Sequence, residues 1–308
     1  FQPDEDAPYA RLVSSHLGTK HQTIRFDTDE LIEALRTATL ARDLPGMADI
    51  DASLYLFCRE MRKETTVVLS GECADEIFGG YPWFHREEML YAGTFPWARA
   101  TKERASWLAP ELRDWVRPEE YAAQRYEETL DEVPHLPGED PREAHRREMF
   151  YLNLNWFMNT LLDRKDRMSM AASLEARVPF CDHRIVEYVW NIPWEMKTCG
   201  NREKGILRKA MEGILPQEVL YRKKSPYPKT HNPAYTEAAR RWLLEILHDP
   251  ASPLLPLIDV PTIRGIAESD ARASGIPFFG QLMSTPQLFA FLGQLDFWLR
   301  EYRVSIQP

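Results

Sequence analysis

The sequence feature that most constrains the fold is a short apolar run, TTVVLS, at residues 65–70. The run is rich in β-branched residues and lacks the alternation of apolar and polar positions that marks a half-exposed strand. A strand without alternation is buried on both faces, and such strands are typical of parallel sheets covered by helices. The run therefore predicts a central parallel strand and a chain of the α/β class.

Helical and extended patterns alternate before this strand, as the α/β class requires. Residues 8–17 carry apolar side chains at helical spacing that stop at Gly18, whereas residues 21–26 (HQTIRF) predict a short strand. Residues 27–29 offer capping side chains for a helix through LIEAL. A second helix is predicted over residues 52–62. Its apolar face consists of Leu54, Phe57, Cys58 and Met61.

The second part of the chain has a mostly helical pattern. Charged amphipathic segments cover residues 101–131, and the proline-rich, acidic stretch 133–141 predicts a surface loop. A long helical pattern follows and leads to the polar cluster DRKDR at residues 163–167. Its apolar positions are Met149, Leu152, Trp156, Leu161 and Leu162. An apolar helix is predicted over residues 287–302.

The balance of charge argues against one class of function. The 308 residues include 47 acidic and 38 basic side chains, and the net charge of −9 argues against general binding to nucleic acid or to an anionic membrane. No apolar run approaches the roughly 20 residues that span a bilayer. The cysteines show no CxxC spacing and no neighbouring zinc ligands, and they favour a reducing, cytoplasmic location. They are Cys58, Cys73, Cys181 and Cys199.

Two small residues, Ser70 and Gly71, follow the predicted strand directly. In an open α/β sheet, ligands bind in the crevice beyond the carboxyl ends of the strands. A hydroxyl group and an unobstructed backbone at that position suit a nucleotide. We therefore expect Ser70 and Gly71 to contact one.

Three acidic residues, Glu72, Asp75 and Glu76, come next. Asp75 and Glu76 are candidate ligands of Mg²⁺, which prefers a few carboxylates together with phosphate oxygens and water. The glycine pair at 79–80 permits a tight turn that returns the chain over the site. The alternative interpretation is an ordinary helix N-terminus, with Ser70 as its cap and the acids placed favourably in the helix dipole.

The segment VVLSGECADEIFGGYPWF at residues 67–84 resembles the SGE-x-x-DE-x-FGGY signature of the asparagine synthetase family. Two later segments agree with it in the family's order. LLDRKDRMSMAASLEARVPFCDH at residues 161–183 is similar to the family stretch DRMSMA-x-SLE-x-R-x-P-F-x-D, and CGNREKGILRKAM at residues 199–211 is similar to GN-x-x-EK-x-ILR. The resemblance extends from about residue 8 to about residue 240.

This resemblance implies a fold and a domain division. We expect the C-terminal synthetase domain of the family, with a parallel-sheet core of the ATP-pyrophosphatase (adenine nucleotide alpha hydrolase-like) type followed by a largely helical part. Residues 1–308 then form one synthetase domain. Within it, residues 1–95 are the α/β nucleotide-binding core and residues 96–308 complete the site.

The resemblance also implies an activity, that of a glutamine-hydrolysing carbon–nitrogen ligase. Aspartate is adenylated by MgATP to β-aspartyl-AMP and pyrophosphate, and ammonia from glutamine displaces AMP to give asparagine. ATP and Mg²⁺ are the implied cofactors, and aspartate and ammonia from an N-terminal glutaminase domain are the implied partners. A homodimer is compatible with the resemblance, and no nucleic-acid or membrane partner is expected.

Five positions acquire roles when the family's site is carried over residue by residue. Ser70 and Gly71 contact ATP. Glu72 governs the formation or breakdown of the aspartyl-adenylate, and Asp75 binds Mg²⁺ and pyrophosphate. Lys204 neutralises phosphate charge, because an ammonium group facing the departing pyrophosphate stabilises charge that grows in the transition state. Without the resemblance, Lys204 would be interpreted as an exposed helix lysine.

Further charged residues are candidates for the same polar cavity. The members of this group in the second segment are Asp163, Asp166, Arg167, Glu175 and Arg177. For Glu175 and Arg177 the alternative is a buried ion-pair network that fixes a helix end. The basic, proline-containing stretch at residues 222–233 is interpreted as a surface turn, with closure over an anionic ligand as the alternative.

Two parts of the family pattern do not occur in this sequence. The pyrophosphate loop SGG-x-DS, whose backbone amides cradle phosphates, is absent, and the chain opens at Phe1 without a glutaminase domain. We therefore expect a fragment of a longer protein, whose activity in isolation stays open. Cys73 stands where the family usually has a small residue such as glycine. It is interpreted as a buried core filler, with a slightly reactive thiol as the alternative.

Two other functions are alternatives to this interpretation of the sequence. β-Lactam synthetases, lasso-peptide cyclases and cell-wall amidotransferases share the architecture but use other acceptors. β-Lactam synthetases use a tyrosine–glutamate pair for acid–base chemistry, whereas Glu72 directly after Ser70 and Gly71 favours the asparagine synthetase branch. The other alternative is a non-catalytic scaffold or regulatory relative that keeps the fold but not the phosphate loop.

Overall fold

The computed structural model describes residues 6–224, 232–269 and 284–306. The first elements are α1 (Ala7–Leu17), α2 (Thr28–Arg42), α3 (Asp49–Arg62), β1 (Val67–Leu69) and α4 (Ala74–Phe78). Next come α5 (Glu87–Leu90), α6 (Thr101–Ala105), α7 (Pro110–Val116), α8 (Pro118–Asp131), α9 (Pro141–Leu152), α10 (Asn159–Ala171) and β2 (Glu175–Arg177). The last are α11 (His183–Trp190), α12 (Trp194–Lys197), α13 (Gly205–Ala210), α14 (Gln217–Leu220), α15 (Pro233–His248), α16 (Val260–Glu268) and α17 (Thr285–Glu301).

Local signals in the sequence determine the ends of the first two helices. α1 ends at Gly18, whose φ of 66° lies in the left-handed region that glycine adopts freely. α2 begins with a capping box, in which Asp27 and Glu30 each accept a hydrogen bond from the other's backbone N–H. Both helices are confirmed as predicted. The predictions of α3, of the loop before α9 and of the apolar helix α17 are confirmed as well.

The strand predicted for residues 21–26 is wrong, because these residues form neither strand nor helix. A strand needs a hydrogen-bonding neighbour, and in the described part of the chain β1 pairs with β2 and with no other strand. Phe26 instead packs against the main core where the chain enters α2. The predicted face of α3 is wrong at Phe57, which is exposed, while Leu56 is buried. α3 packs against both α2 and α10, so its buried face is wider than a single stripe.

β1 lies where the sequence predicts a parallel strand, but its burial on both faces is wrong. It pairs in parallel with β2, with Val67 opposite Glu175 and Leu69 opposite Arg177. Val68 packs against the main core, whereas Leu69, on the other face, is 75% exposed. The described residues therefore form a mostly helical α/β fold with one small parallel sheet. The larger parallel-sheet core expected from the resemblance does not appear among them.

A nearly continuous helical rod runs from α9 to α10. A π-helical segment, Asn153–Met158, joins the two helices. The polar cluster at residues 163–167 lies within α10 rather than after the end of a helix, because the helix continues to Ala171. Its charged side chains therefore point in different directions around the helix.

The main hydrophobic core lies between five helices: α2, α3, α10, α15 and α17. Representative fully buried side chains, one from each, are Leu35, Leu56, Met168, Leu243 and Phe289. A second, aromatic cluster contains Trp83, Phe84 and Phe150, with Trp194 packed against it. A third cluster packs α4 against α11 and α13 and so connects the turn after β1 to the C-terminal half.

None of the described helices combines the length and the apolar character needed to cross a membrane. The longest of them, α17, contains Asp296 and Arg300.

Lys197 is a buried lysine at the edge of the aromatic cluster. Its Nζ lies 4.1 Å from the centroid of the Phe150 ring. Burial, assisted by the nearby Arg147 charge, lowers the pKa of Lys197 from 10.5 to about 8. Between these two pH values the folded chain has released a proton that the unfolded chain still holds. The free energy of unfolding therefore rises with pH across this window.

We expect Lys197 to contribute a rise of about 3 kcal/mol in the free energy of unfolding between pH 8 and pH 10.5. Lys197→Met should lack that contribution and should be at least as stable as the parent at pH 7. Urea unfolding across this pH range, with the thiols kept reduced, measures both effects. Lys102→Met, at an exposed position, is the control and should keep the rise. A Lys197→Met profile parallel to the parent's would contradict the prediction.

Candidate active site

The chain leaves the small sheet through the turn that carries the predicted site residues. The Ser70 N–H donates to the Arg177 carbonyl (2.8 Å) and extends the pairing of β1 with β2 by one residue. Gly71 is exposed, and a Cβ at this position would meet no atom within 4 Å. The capping position of α4 is Cys73. The alternative interpretation, in which Ser70 caps this helix, is therefore wrong.

Asp75 lies between two lysines that are distant from it in the sequence. Its Oδ1 lies 2.7 Å from Lys204 Nζ, and its Oδ2 lies 2.9 Å from Lys224 Nζ. Burial by itself would raise the pKa of Asp75, but the two lysines outweigh that effect and hold the pKa below its ordinary value. Asp75 is therefore ionised at neutral pH and compensates the charge of both ammonium groups.

Helix packing brings Lys204 to Asp75. Lys204 occupies the residue before α13 and has a φ of 53°, in the left-handed region. The turn is tight at Gly205, where a Cβ would lie 2.1 Å from the Cys199 carbonyl oxygen. α13 then packs against α4 through a cluster of apolar side chains. This cluster includes Ala74, Ile77, Phe78, Ile206 and Leu207.

The turn after α4 fixes the Asp75 carboxylate and receives Lys224. The Gly80 N–H donates to the Asp75 carbonyl (2.8 Å), and a Cβ on Gly80 would lie 1.8 Å from Asp75 Oδ1. Lys224 Nζ donates to the Gly80 carbonyl (3.1 Å) and lies 4.0 Å from the centroid of the Tyr81 ring. The predicted glycine turn thus forms and holds one of the two lysines.

Glu76, although adjacent to Asp75 in sequence, has a different environment. It is buried, and its Oε1 accepts a hydrogen bond from the Tyr81 hydroxyl (2.6 Å). Burial raises the pKa of Glu76 above its ordinary value, against the opposing effect of that hydrogen bond. The expectation that Glu76 shares a metal position with Asp75 is therefore not met by the geometry.

Glu72 faces α10. Its Oε1 lies 3.5 Å from Arg164 Nη2 and 3.5 Å from Lys165 Nζ, and the side chain is 21% exposed. Its Oε2 is buried and accepts no hydrogen bond from the part of the chain that the structure describes. Glu72 is therefore held through one oxygen by two cations, three residues before Asp75 on the same turn.

A cavity of 470 Å³ opens beside Asp75. Its basic side chains are Lys204, Arg208, Arg222 and Lys224, and apolar side chains of α13 and α14 form much of the remaining wall. Arg208 pairs with Glu203 (2.9 Å) and Arg222 pairs with Asp6. Lys204 and Lys224 instead share the single carboxylate of Asp75. This arrangement is suited to exchange one anion for another of higher charge.

Several charged residues expected at this cavity lie elsewhere. Asp163, Asp166 and Arg167 are exposed on the outer side of α10. Arg177 Nε lies 2.7 Å from Glu175 Oε1, and both side chains are more than half exposed. The expected convergence is therefore wrong, and so is the alternative of a buried network, because β2 leaves these side chains facing outward.

Sequence reasoning missed four side chains of this region: Tyr81, Arg164, Lys165 and Lys224. Arg164 and Lys165 belong to the polar cluster that was singled out, but its inward-facing members cannot be chosen before the packing of α10 is known. Lys224 belongs to the stretch at 222–233, whose residues 225–231 lie outside the described part of the chain. Most of the predicted surface turn, with its alternative of closure over an anionic ligand, therefore also lies outside the described residues.

Asp75 is the residue that would contribute to an Mg²⁺ site. No group of three or more His, Cys, Asp or Glu side chains suitable for a metal ion occurs within residues 6–224, 232–269 and 284–306. One carboxylate between two ammonium groups does not suit a bare divalent cation. It does fit Mg²⁺ that is bound by phosphate oxygens, since this ion is commonly held by one or two carboxylates plus substrate phosphates.

Comparisons with known proteins agree with these observations. The family model described as asparagine synthase matches residues 1–300. The chain is 53% identical over 306 residues to asparagine synthetase [glutamine-hydrolyzing] 3 of Bacillus subtilis, covering 99% of this chain and 50% of that protein. It is 29% identical over 233 residues to the human asparagine synthetase [glutamine-hydrolyzing], covering 72% of this chain and 32% of that protein. The chain thus spans half or less of the length of these relatives.

The close approach of Gly80 to Asp75 provides a test of the site geometry. Gly80→Ala places a methyl group 1.8 Å from a carboxylate oxygen, so the Asp75 side chain has to move away from the lysines. We expect a loss of about 1–3 kcal/mol in the free energy of unfolding, as for other overpacked sites. Urea unfolding measures this loss. Gly71→Ala is the matched control, because its Cβ meets no atom within 4 Å. Equal stabilities of the two variants would contradict the geometry.

Proposed function

Because the chain belongs to the asparagine synthase family, we propose that it is the synthetase part of an enzyme that converts aspartate to asparagine with ATP. The observation that carries the proposal is the turn after β1, on which Asp75 lies at the wall of the basic cavity and Glu72 pairs with Arg164 of α10. The proposal includes a nucleotide-binding part at residues 1–95, with the parallel-sheet core of ATP pyrophosphatases. Residues 96–308 complete the site by supplying Arg164, Lys165, Lys204 and Lys224.

The reaction has two steps in this proposal. A side-chain carboxylate oxygen of aspartate attacks the α-phosphorus of ATP, the bond to the bridging oxygen breaks, and pyrophosphate leaves. Ammonia then attacks the activated carbonyl carbon, and AMP leaves with the electron pair of the C–O bond. In both steps negative charge accumulates on a departing phosphate group. The chain must therefore offer positive charge where that group departs.

Lys204 and Lys224 supply this charge. Both ammonium groups lie within 3 Å of the Asp75 carboxylate and at the wall of the cavity. A polyphosphate that enters the cavity meets two cations that a single carboxylate compensates. Phosphate oxygens offer these cations more negative charge than Asp75 does, and the attraction grows as pyrophosphate separates.

Asp75 would hold the Mg²⁺ that accompanies the phosphates, and this ion supplies further charge neutralisation when it is bound. Asp75 is suited to this role because its pKa lies below the ordinary value, so the carboxylate is fully ionised at neutral pH. Ser70 and Gly71 lie five and four residues before it, on the open side of the turn. They are proposed to contact the nucleotide.

Glu72 is proposed to act at the aspartyl-adenylate, in its formation or its breakdown. Its Oε1 is held by Arg164 and Lys165, which both belong to α10. These two cations are positioning residues, because they orient the carboxylate. In this proposal the Glu72 carboxylate accepts a proton from the ammonia nitrogen as the new C–N bond forms.

The relatives' names describe glutamine-hydrolysing enzymes. We therefore include glutamine as the source of ammonia in the proposal, through a glutaminase domain. Free ammonia replaces that source in a test of the synthetase step, so the two parts of the activity are separable.

The central test measures pyrophosphate release with ATP, Mg²⁺ and ammonium, with and without aspartate, on the protein as its gene encodes it. We expect pyrophosphate only with aspartate, and asparagine in equal amount. Glu72→Gln should abolish amide formation while leaving the folded structure intact. Glu64→Gln, at an exposed position just before β1, is the matched control. ATP consumption that is equal without aspartate would refute the assignment. Release with a different carboxylate acceptor would favour a relative with another substrate.

A second prediction concerns Lys204. Lys204→Ala should lower the rate of aspartate-dependent pyrophosphate release by about 10²–10³-fold, as the loss of one donor to a developing oxyanion does. The effect should fall mainly on kcat, because the charge grows in the transition state. Lys209→Ala, on the exposed face of α13, should keep the parental rate. A parental kcat in Lys204→Ala would remove this residue from the proposed mechanism.

A further inference from the structure

Two cysteines meet beside the proposed active site. Cys73 Sγ lies 3.0 Å from Cys181 Sγ, although the residues are 108 positions apart in the sequence. Cys73 follows Glu72 directly. Cys181 ends the short 3₁₀ turn Pro179–Cys181 after β2. The two sulfurs therefore lie close together just after the C-terminal ends of the paired strands β1 and β2.

The surroundings of the pair favour a fixed juxtaposition. The Phe180 ring packs edge-on against the Phe78 ring of α4, with centroids 6.1 Å apart. Cys181 Sγ also lies 3.6 Å from Met158 Sδ. Cys58 and Cys199 are free thiols too, and within the described residues neither has another sulfur at such a distance. The proximity is therefore specific to one pair among the four cysteines.

The two thiols differ in access and in acidity. Cys73 is 1% exposed, whereas Cys181 is partly exposed. The hydrogen bond from Cys73 lowers the pKa of Cys181 below its ordinary value. A more acidic, accessible thiol is the one that reacts first with an oxidant, and a neighbouring thiol then resolves the product.

We propose that Cys73 and Cys181 are a reversible oxidation site, at which a disulfide bond forms and switches off the neighbouring active site. The regulatory half of this inference rests on the proposed function, whereas the formation of the bond does not. The oxidant is a peroxide. A cytoplasmic disulfide of this kind would be transient rather than structural.

The chemistry balances with hydrogen peroxide as the oxidant. The Cys181 thiolate attacks one peroxide oxygen, the O–O bond breaks, and hydroxide leaves, which gives a sulfenic acid on Cys181. The Cys73 sulfur then attacks the Cys181 sulfur, the S–O bond breaks, and water leaves with the thiol proton. Two thiols and one peroxide give one disulfide and two waters. A dithiol reductant reverses the oxidation by thiol–disulfide exchange.

Bond formation would disturb the site because Cys73 belongs to the turn that carries it. Closing the 3.0 Å gap to a bond of about 2.0 Å moves the sulfurs together by about 1 Å. Cys73 has a φ of 73°, in a sparsely populated region, so its backbone has little freedom to absorb the movement. Glu72 and Asp75 lie on either side of it. A displacement of about 1 Å at a catalytic group can cost about 10²-fold in rate.

The experiment treats the protein as its gene encodes it with hydrogen peroxide, blocks the remaining thiols, and maps the digested peptides by mass spectrometry. We expect a cross-linked peptide that contains Cys73 and Cys181 and that disappears with dithiothreitol. Aspartate-dependent pyrophosphate release should fall at least about 10-fold in parallel and should recover on reduction. Cys181→Ala should give neither effect, whereas Cys199→Ala, the matched control, should give both.

Three results separate the parts of the inference. If Cys73 and Cys181 can still be alkylated after other thiols have been oxidised, the proposal that they form an oxidation site is overturned. If the cross-link forms and the rate is unchanged, the regulatory role is overturned. If the cross-link forms but the reduced protein releases no pyrophosphate with aspartate, the oxidation site stands and the proposed function fails, together with the regulatory role that rests on it.

Discussion

The candidate site depends on one shared carboxylate. Asp75 is the counterion of both Lys204 and Lys224, and without it two ammonium groups would face the same cavity uncompensated. The pairing also connects three parts of the chain, because α4, the turn before α13 and the segment after α14 meet at this one side chain. Removing the carboxylate would leave two partly buried cations in mutual repulsion, which is costly in a medium of low dielectric constant. A bound anion can take over the same role, so the geometry of the site favours a negatively charged ligand.

How much of this could be predicted from the sequence depends on whether the signal is local. The signals for the end of α1 and the start of α2, a glycine and a capping box, each lie within a few residues of sequence. Both helix boundaries were therefore predictable. The strand at 21–26 and the two-sided burial of β1 depend on neighbours elsewhere in the fold, and both predictions were wrong. Residue type and local pattern do not identify the strand that pairs with another. The resemblance placed Asp75 and Lys204 in one site, and the packing of α4 against α13 brings them together.

The polar cluster of α10 shows why a motif does not assign its own members. Arg164, Lys165 and Met168 lie on the inner side of the helix, and Met168 is fully buried in the main core. Asp163 and Arg167 lie four residues apart on the outer side, where Arg167 Nε is 3.5 Å from Asp163 Oδ1. A helix places residues three and four apart on one face, so the core position of Met168 determines which charges turn toward Glu72. Five consecutive charged residues therefore divide into three on the surface, Asp163, Asp166 and Arg167, and two that position the acid.

The charges around the turn differ in sign from the chain as a whole. The chain has a net charge of −9, which disfavours general association with polyanions. At the turn, however, two acids, Glu72 and Asp75, pair with four basic side chains. These are Arg164, Lys165, Lys204 and Lys224. The two adjacent carboxyl groups of the turn also differ, because burial raises the pKa of Glu76 while two lysines hold that of Asp75 low. Such opposite shifts in neighbouring groups are a common means of assigning them different roles. The cavity beside Asp75, with Lys204 and Lys224 at its wall, thus lets a protein of net negative charge accept a phosphate-bearing ligand there.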